Sequence, residues 1–130
     1  MPGLTEELSR LVAIPSVSVP GRLDEPLLEA HDIVARLFAD AGVEVGRLDL
    51  PDTAPVVVGR IEAPPGAPTV LLYSHYDVAA GGDETLWDSP PFEPSLRDGA
   101  IFGRGTTALR GMANVVVEVR TLESGKHSGQ

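Results

Sequence analysis

No cysteine occurs in the 130 residues. That excludes disulfides, thiol nucleophiles and cysteine-ligated zinc or iron–sulfur sites, so any metal site must be built from His, Asp and Glu. A basic face is also missing: 10 Lys and Arg stand against 19 Asp and Glu, for a formal net charge of −9. Nucleic-acid binding needs cations that displace counterions from phosphate, and this chain offers no such face. The same balance argues against an anionic membrane surface. No apolar run approaches the ~18 residues of a membrane span. The opening Met1-Pro2-Gly3-Leu4-Thr5-Glu6-Glu7 lacks the basic and apolar regions of a secretory signal. The expectation is a cytoplasmic protein with neither nucleic acid nor membrane as partner. Aromatics are scarce, at 5%, and most lie between Tyr73 and Phe102.

What is present suits one ordinary globular domain, with 42% hydrophobic and 22% charged residues. Residues 4 to 14 are expected to form a short helix. Leu4, Leu8, Leu11 and Val12 share a face, Thr5 is the expected N-cap, and Pro15 stops the helix. The strongest helix pattern covers 25 to 41, with Pro26 at its start. Leu27, Ala30, Val34, Leu37, Phe38 and Ala41 form its stripe, and Gly42 provides a C-terminal left-handed residue.

Strand patterns follow. Val43, Val45, Leu48 and Leu50 alternate with a phase change near Gly46, which predicts a bulge or bend. Val56 to Glu62 is a second strand. The continuous apolar run Thr69-Val70-Leu71-Leu72-Tyr73 fits a strand buried on both faces. Arg97-Asp98-Gly99-Ala100 is a two-residue hairpin signal, because Asp-Gly supplies the positive φ values of a type I′ turn. Residues 107 to 122 have a helical face at Leu109, Met112, Val116, Val119 and Leu122, although Val115-Val116-Val117 favours a strand. Ser124 to Gln130 reads as a polar tail. The fold class is α/β, a mixed sheet with flanking helices.

The block Tyr73-Ser74-His75-Tyr76-Asp77-Val78 carries the clearest chemistry. His75 follows a strand pattern, and ligands of open α/β sheets gather at the carboxyl ends of strands. In an extended segment, residues i and i+2 face the same side. A metal-bound imidazole usually donates its other ring N–H to a carboxylate or carbonyl. Spacing alone leaves a ligand pair and a structural or solvated pair both open.

This block closely resembles the first metal motif of a dinuclear zinc hydrolase family. That family includes acetylornithine deacetylase, succinyl-diaminopimelate desuccinylase and carnosine dipeptidase. The succession after it resembles the family too: Gly82-Asp83-Glu84, Trp87, Pro91-Phe92-Glu93-Pro94, Arg97-Asp98-Gly99 and Gly103-Arg104-Gly105. So does the earlier stretch Leu11-Val12-Ala13-Ile14-Pro15-Ser16-Val17-Ser18. The resemblance implies the N-terminal portion of a zinc-exopeptidase-like catalytic domain, incomplete, over residues 1–123, with 124–130 as its tail. It implies zinc as cofactor, His75 as a metal ligand, and Asp77 as the catalytic-site carboxylate that orients His75. It also implies a small peptide or N-acyl amino acid as the intact family's substrate. Trp87 and Phe92 would pack the wall of the site, and Arg104 would pair a carboxylate or cap carbonyls.

Two departures qualify this. Ala108 stands where the resemblance places an aspartate bridging both metals. A methyl group cannot ligate, and two dications ~3.5–4 Å apart need an anion between them. The family's general-base glutamate and later ligands are also expected beyond Gln130. Of the other histidines, His31 reads as a partly exposed helix residue and His127 as a solvated one. Asp83, Glu84, Asp88 and Glu93 read as a solvated loop. Gly103 to Gly105 lacks the third glycine of a dinucleotide motif, and no serine nucleophile elbow is present.

Three readings remain open: part of a zinc amidohydrolase, inactive alone; a degenerate module that binds a partner or a full-length relative; and a chain that does not fold stably and associates or aggregates through an unpaired sheet edge.

Overall fold

A computed structural model describes residues 3–106. The expectations for 107–122 and 124–130, for Ala108 and for His127 lie outside the described residues. Helix α1 spans Leu4–Ala13. Its ladder begins at Gly3, whose carbonyl accepts from Glu6 and Glu7 N–H at 2.9 and 3.2 Å. Gly3, not Thr5, is therefore the N-cap, and no side chain caps this end. Glu6 and Glu7 in the first turn and Arg10 in the last complement the helix dipole. Pro15 follows the extended Ile14 and ends the helix.

Helix α2 spans Glu25–Asp40, with Asp24 as N-cap and Pro26 in the first turn. Gly42 N–H bonds to Ala39 at 2.9 Å, and Val43 N–H bonds to Phe38 at 3.0 Å. This pair of bonds, with Gly42 at φ 80°, is a Schellman ending and satisfies two terminal carbonyls. The buried face carries Leu27, Ala30, His31 and Ile33. His31 thus corrects the expectation of a partly exposed residue: it is only 4% exposed. Ile14, Ala30 and Ile33 form the core, with Leu11, Leu37 and Tyr76 packed against it.

An ion cluster ties the two helices together. Glu7 on α1 is nearly buried and receives Arg36 of α2 at 3.2 Å and Arg10 at 3.4 Å. A carboxylate can be taken out of water at this position because both of its oxygens are paired.

Strands β1 (Glu44–Leu48) and β2 (Val56–Arg60) pair antiparallel, from Glu44 opposite Arg60 to Leu48 opposite Val56. The register is unbroken, so the bulge expected near Gly46 does not occur. The hydropathy changed phase because Leu48 lies on an exposed face, not because the backbone does. Phe38 of α2 rests on Gly59, where an added Cβ would come within 2.8 Å of its ring.

Residues 69–73 depart most from expectation. They form no strand, and Val70, Leu71, Leu72 and Tyr73 are each more than half exposed. A strand needs a neighbour's N–H and C=O groups, and no described residue pairs with this run. The first lateral pairing of this stretch comes at Val78, which bridges Val17 in the parallel sense.

Strands β3 (Ser95–Arg97) and β4 (Ala100–Phe102) form the expected hairpin. Asp98 and Gly99 take φ of 50° and 76°, the type I′ combination. The described architecture is α/β: two helices, two antiparallel two-stranded sheets and one parallel bridge.

Candidate metal centre

The segment from Ser74 to Val78 runs beside residues 16–18 and is held by them. Ser18 N–H donates to Val78 at 3.0 Å, and Val78 N–H donates to Ser16 at 2.9 Å. Ser16, itself buried, donates its hydroxyl to the Tyr76 carbonyl at 3.1 Å. The Tyr76 side chain turns inward, where its hydroxyl donates to the Pro55 carbonyl and its ring meets His31 edge-on at 6.1 Å. Burial, then the nearby Asp77 charge, raise the Tyr76 pKa above the ordinary tyrosine value, against a smaller opposing effect of Arg47.

With Tyr76 facing the core, its neighbours His75 and Asp77 face out. Their side chains are 51% and 37% exposed. The His75 Nδ1 lies 2.9 Å from the Asp77 carbonyl oxygen and 3.1 Å from Asp77 Oδ1. A carbonyl and an ionised carboxylate only accept, so Nδ1 carries the proton and donates to both. In the neutral ring, the lone pair is then on Nε2. This is the protonation pattern of a ligating imidazole held by a carboxylate.

A second set of contacts backs the segment. Gly105 lies against Val78: its φ is 90°, and an added Cβ would come within 2.7 Å of Val78 Cγ1. Next to Gly105, Arg104 donates to the Gly81 carbonyl at 3.1 Å, and its guanidinium lies 4.9 Å from the Trp87 ring centroid. Trp87 Nε1–H donates to the same carbonyl at 2.9 Å. Arg104 therefore caps a carbonyl, one of its two expected roles. Phe92 lies beside Gly81. In the acidic loop, Asp83 accepts from Thr85 N–H and hydroxyl at 2.9 and 2.7 Å, and these bonds lower its pKa. Asp83 is a local turn cap, and its Oδ1 accepts both bonds from Thr85. Asp88 lies 3.6 Å from Arg97, which covers the Phe102 ring.

No three His, Asp or Glu side chains gather into a metal-holding group among the described residues. His31 is no candidate: its Nδ1 meets Asp32 at 2.9 Å, and its buried Nε2 has no partner among the described residues. Among the described residues the donor chemistry therefore fits one metal ligand and not a complete centre. A groove of about 550 Å³ between α1 and α2, lined by Arg10, Glu29, Asp32 and Arg36 among others, shares no residue with this segment. Sequence reasoning missed Ser16 and Tyr76 as holders of the segment. The available signal was a serine in the apolar context Ile14-Pro15-Ser16-Val17.

No protein-family profile matches the chain. It is 34% identical over 125 residues to a cysteinylglycine-S-conjugate dipeptidase from Corynebacterium striatum, covering 95% of this chain and 27% of the relative. It is 33% identical over 114 residues to the Cys-Gly metallodipeptidase dug1 of Schizosaccharomyces pombe, covering 80% of this chain and 24% of that protein. The solved structure of the dipeptidase Dug1p from Saccharomyces cerevisiae superposes with a TM-score of 0.66 at 26% identity, over 78% of this chain and 24% of that one. The chain thus spans about a quarter of the length of the relatives it matches. Its homologues are dipeptidases, one of them named as a metalloenzyme. The described fold is consistent with part of such a domain.

Proposed function

We propose that this chain forms an N-terminal part of a metal-dependent dipeptidase catalytic domain and contributes one metal-ligating imidazole, His75, to it. The observation that carries the proposal is the pairing of His75 Nδ1 with two acceptors, which leaves the Nε2 lone pair for a cation. Zinc fits an imidazole donor, and imidazole alone also suits other divalent metals. When bound, the metal would polarise a scissile amide carbonyl and acidify a water. Asp77 acts by orienting His75. A small peptide is the substrate class of the whole enzyme, favoured over an N-acyl amino acid by the dipeptidase names of the relatives. A cytoplasmic location belongs to the same proposal.

The 130-residue chain does not hydrolyse peptides by itself. Catalytic zinc sites use three protein ligands plus water, and the described residues gather no three candidate ligands at His75 or elsewhere. Ala108 adds no donor. Nitrogen-edited NMR of the purified chain during zinc addition tests the assignment, alongside a Cys-Gly hydrolysis assay. The expected result is movement of the His75 ring nitrogens, with those of His31 unmoved and no turnover. Turnover by the chain alone, or zinc acting elsewhere, contradicts it.

A second reading is favoured by the exposure of Val70 to Tyr73. An apolar, unpaired run of this kind promotes association through strand pairing. Light scattering across a concentration series tests it: growth in mass that Leu72→Lys suppresses supports association, and a constant monomer mass removes it.

A further inference from the structure

Ser16 is 2% exposed, so its hydroxyl is a polar group committed to the interior. Such a group needs a partner, and the partner it has is the Tyr76 carbonyl at 3.1 Å. The Ser16 backbone carbonyl accepts from Val78 N–H at 2.9 Å. The two bonds grip the chain on either side of Asp77. Asp77 takes part in neither, so both its carbonyl and its carboxylate remain turned to His75 Nδ1. For one residue to present its main-chain and side-chain oxygens to the same nitrogen, the backbone between 76 and 78 must be fixed. Ser16 supplies that fixing from sixty residues away in sequence.

We propose that Ser16 is a positioning residue for the His75 imidazole, holding the peptide units around Asp77 so that Nδ1 keeps its proton and Nε2 keeps its lone pair. The metal role of His75 is taken from the proposed function above. The tautomer of His75 is a property of the metal-free chain and can be measured without it.

The experiment is nitrogen-edited NMR of the His75 ring in the full 130-residue chain at neutral pH, with no metal added. The variants are Ser16→Ala, Ser16→Cys and Val12→Ala. Cysteine keeps nearly the same volume and offers only a weak S–H donor, so it preserves the fold if alanine does not. Val12 is buried in the α1 face and hydrogen-bonds to nothing in the 74–78 segment through its side chain. It reports general loosening. The ratio of the Nδ1–H to the Nε2–H form is expected to fall by about fivefold in Ser16→Ala, the factor matching one ordinary hydrogen bond. A smaller fall is expected in Ser16→Cys and none in Val12→Ala. An unchanged ratio in both Ser16 variants overturns the proposal, as does an equal fall in Val12→Ala. Zinc added to the wild-type sample separates the two ideas. If the His75 nitrogens stay unmoved by zinc, the metal role fails while the tautomer ratios still decide the role of Ser16.

Discussion

Asp77 presents two oxygens to a single nitrogen of His75, its carbonyl at 2.9 Å and its Oδ1 at 3.1 Å. The main-chain contact survives truncation of the side chain, but the charged contact does not. Asp77→Ala is therefore expected to weaken divalent-metal binding at His75 by about 10–100-fold, the usual cost of losing an orienting partner. Calorimetric zinc titration of both proteins checks this. Equal affinities mean that the carboxylate plays no part.

Tyr76 carries a pH dependence with a definite sign. Its pKa is raised in the folded chain, by burial first and by Asp77 second. The folded state therefore keeps a proton that the unfolded state has already released. The stabilisation is fully present below the ordinary tyrosine value of about 10 and is lost as pH rises through the higher folded value. Urea unfolding between pH 9 and 11, in wild type and Tyr76→Phe, measures it. The wild type is expected to lose stability more steeply than the variant, and parallel curves contradict the assignment. At neutral pH, Tyr76→Phe is expected to cost about 1 kcal/mol for the lost bond to Pro55.

Gly105 can be replaced only with strain. A φ of 90° disfavours any side chain, and the Cβ would lie 2.7 Å from Val78 Cγ1. Gly105→Ala is expected to destabilise by about 1–3 kcal/mol, read as a lower urea midpoint. A neutral substitution would mean that Gly105 and Val78 are not in contact.

Glu7 and its two arginines should respond unequally. Glu7 is nearly buried, whereas Arg10 and Arg36 are about half exposed. Removing either cation leaves the other in place and exchanges a partly screened pair, at a cost under about 1 kcal/mol. Glu7→Ala takes the acceptor from both and is expected to cost about 1–2 kcal/mol. A larger loss for Arg36→Ala than for Glu7→Ala reverses the predicted order.

Much of the local structure was legible because it is decided by local chemistry. The bounds of α2, the Gly42 ending and the Asp98-Gly99 turn follow from φ preferences and apolar spacing that a few residues carry. The pairing of His75 with Asp77 was left open by alternation and the carboxylate–imidazole habit, and was implied by the family resemblance of the motif. Besides the local misplacements at Thr5 and Gly46, what failed depended on partners far away in the chain. The run 69–73 has strand composition, but pairing requires a neighbour, and none of the described residues provides one. His31 was misjudged because its spacing beside the apolar stripe does not show that Tyr76 closes over it. Ser16 escaped notice because its partner is sixty residues away. The proline before it marked a helix end, and the serine's apolar surroundings marked a buried hydroxyl without naming its partner.

The central claim is that His75 is poised as a metal ligand. Calorimetric titration of zinc into the wild-type chain and into His75→Ala tests it most directly, with His127→Ala as control for adventitious imidazole binding. One binding event that persists in His127→Ala and disappears in His75→Ala is the predicted result. Binding that is unchanged by His75→Ala, or absent from the wild type, contradicts it.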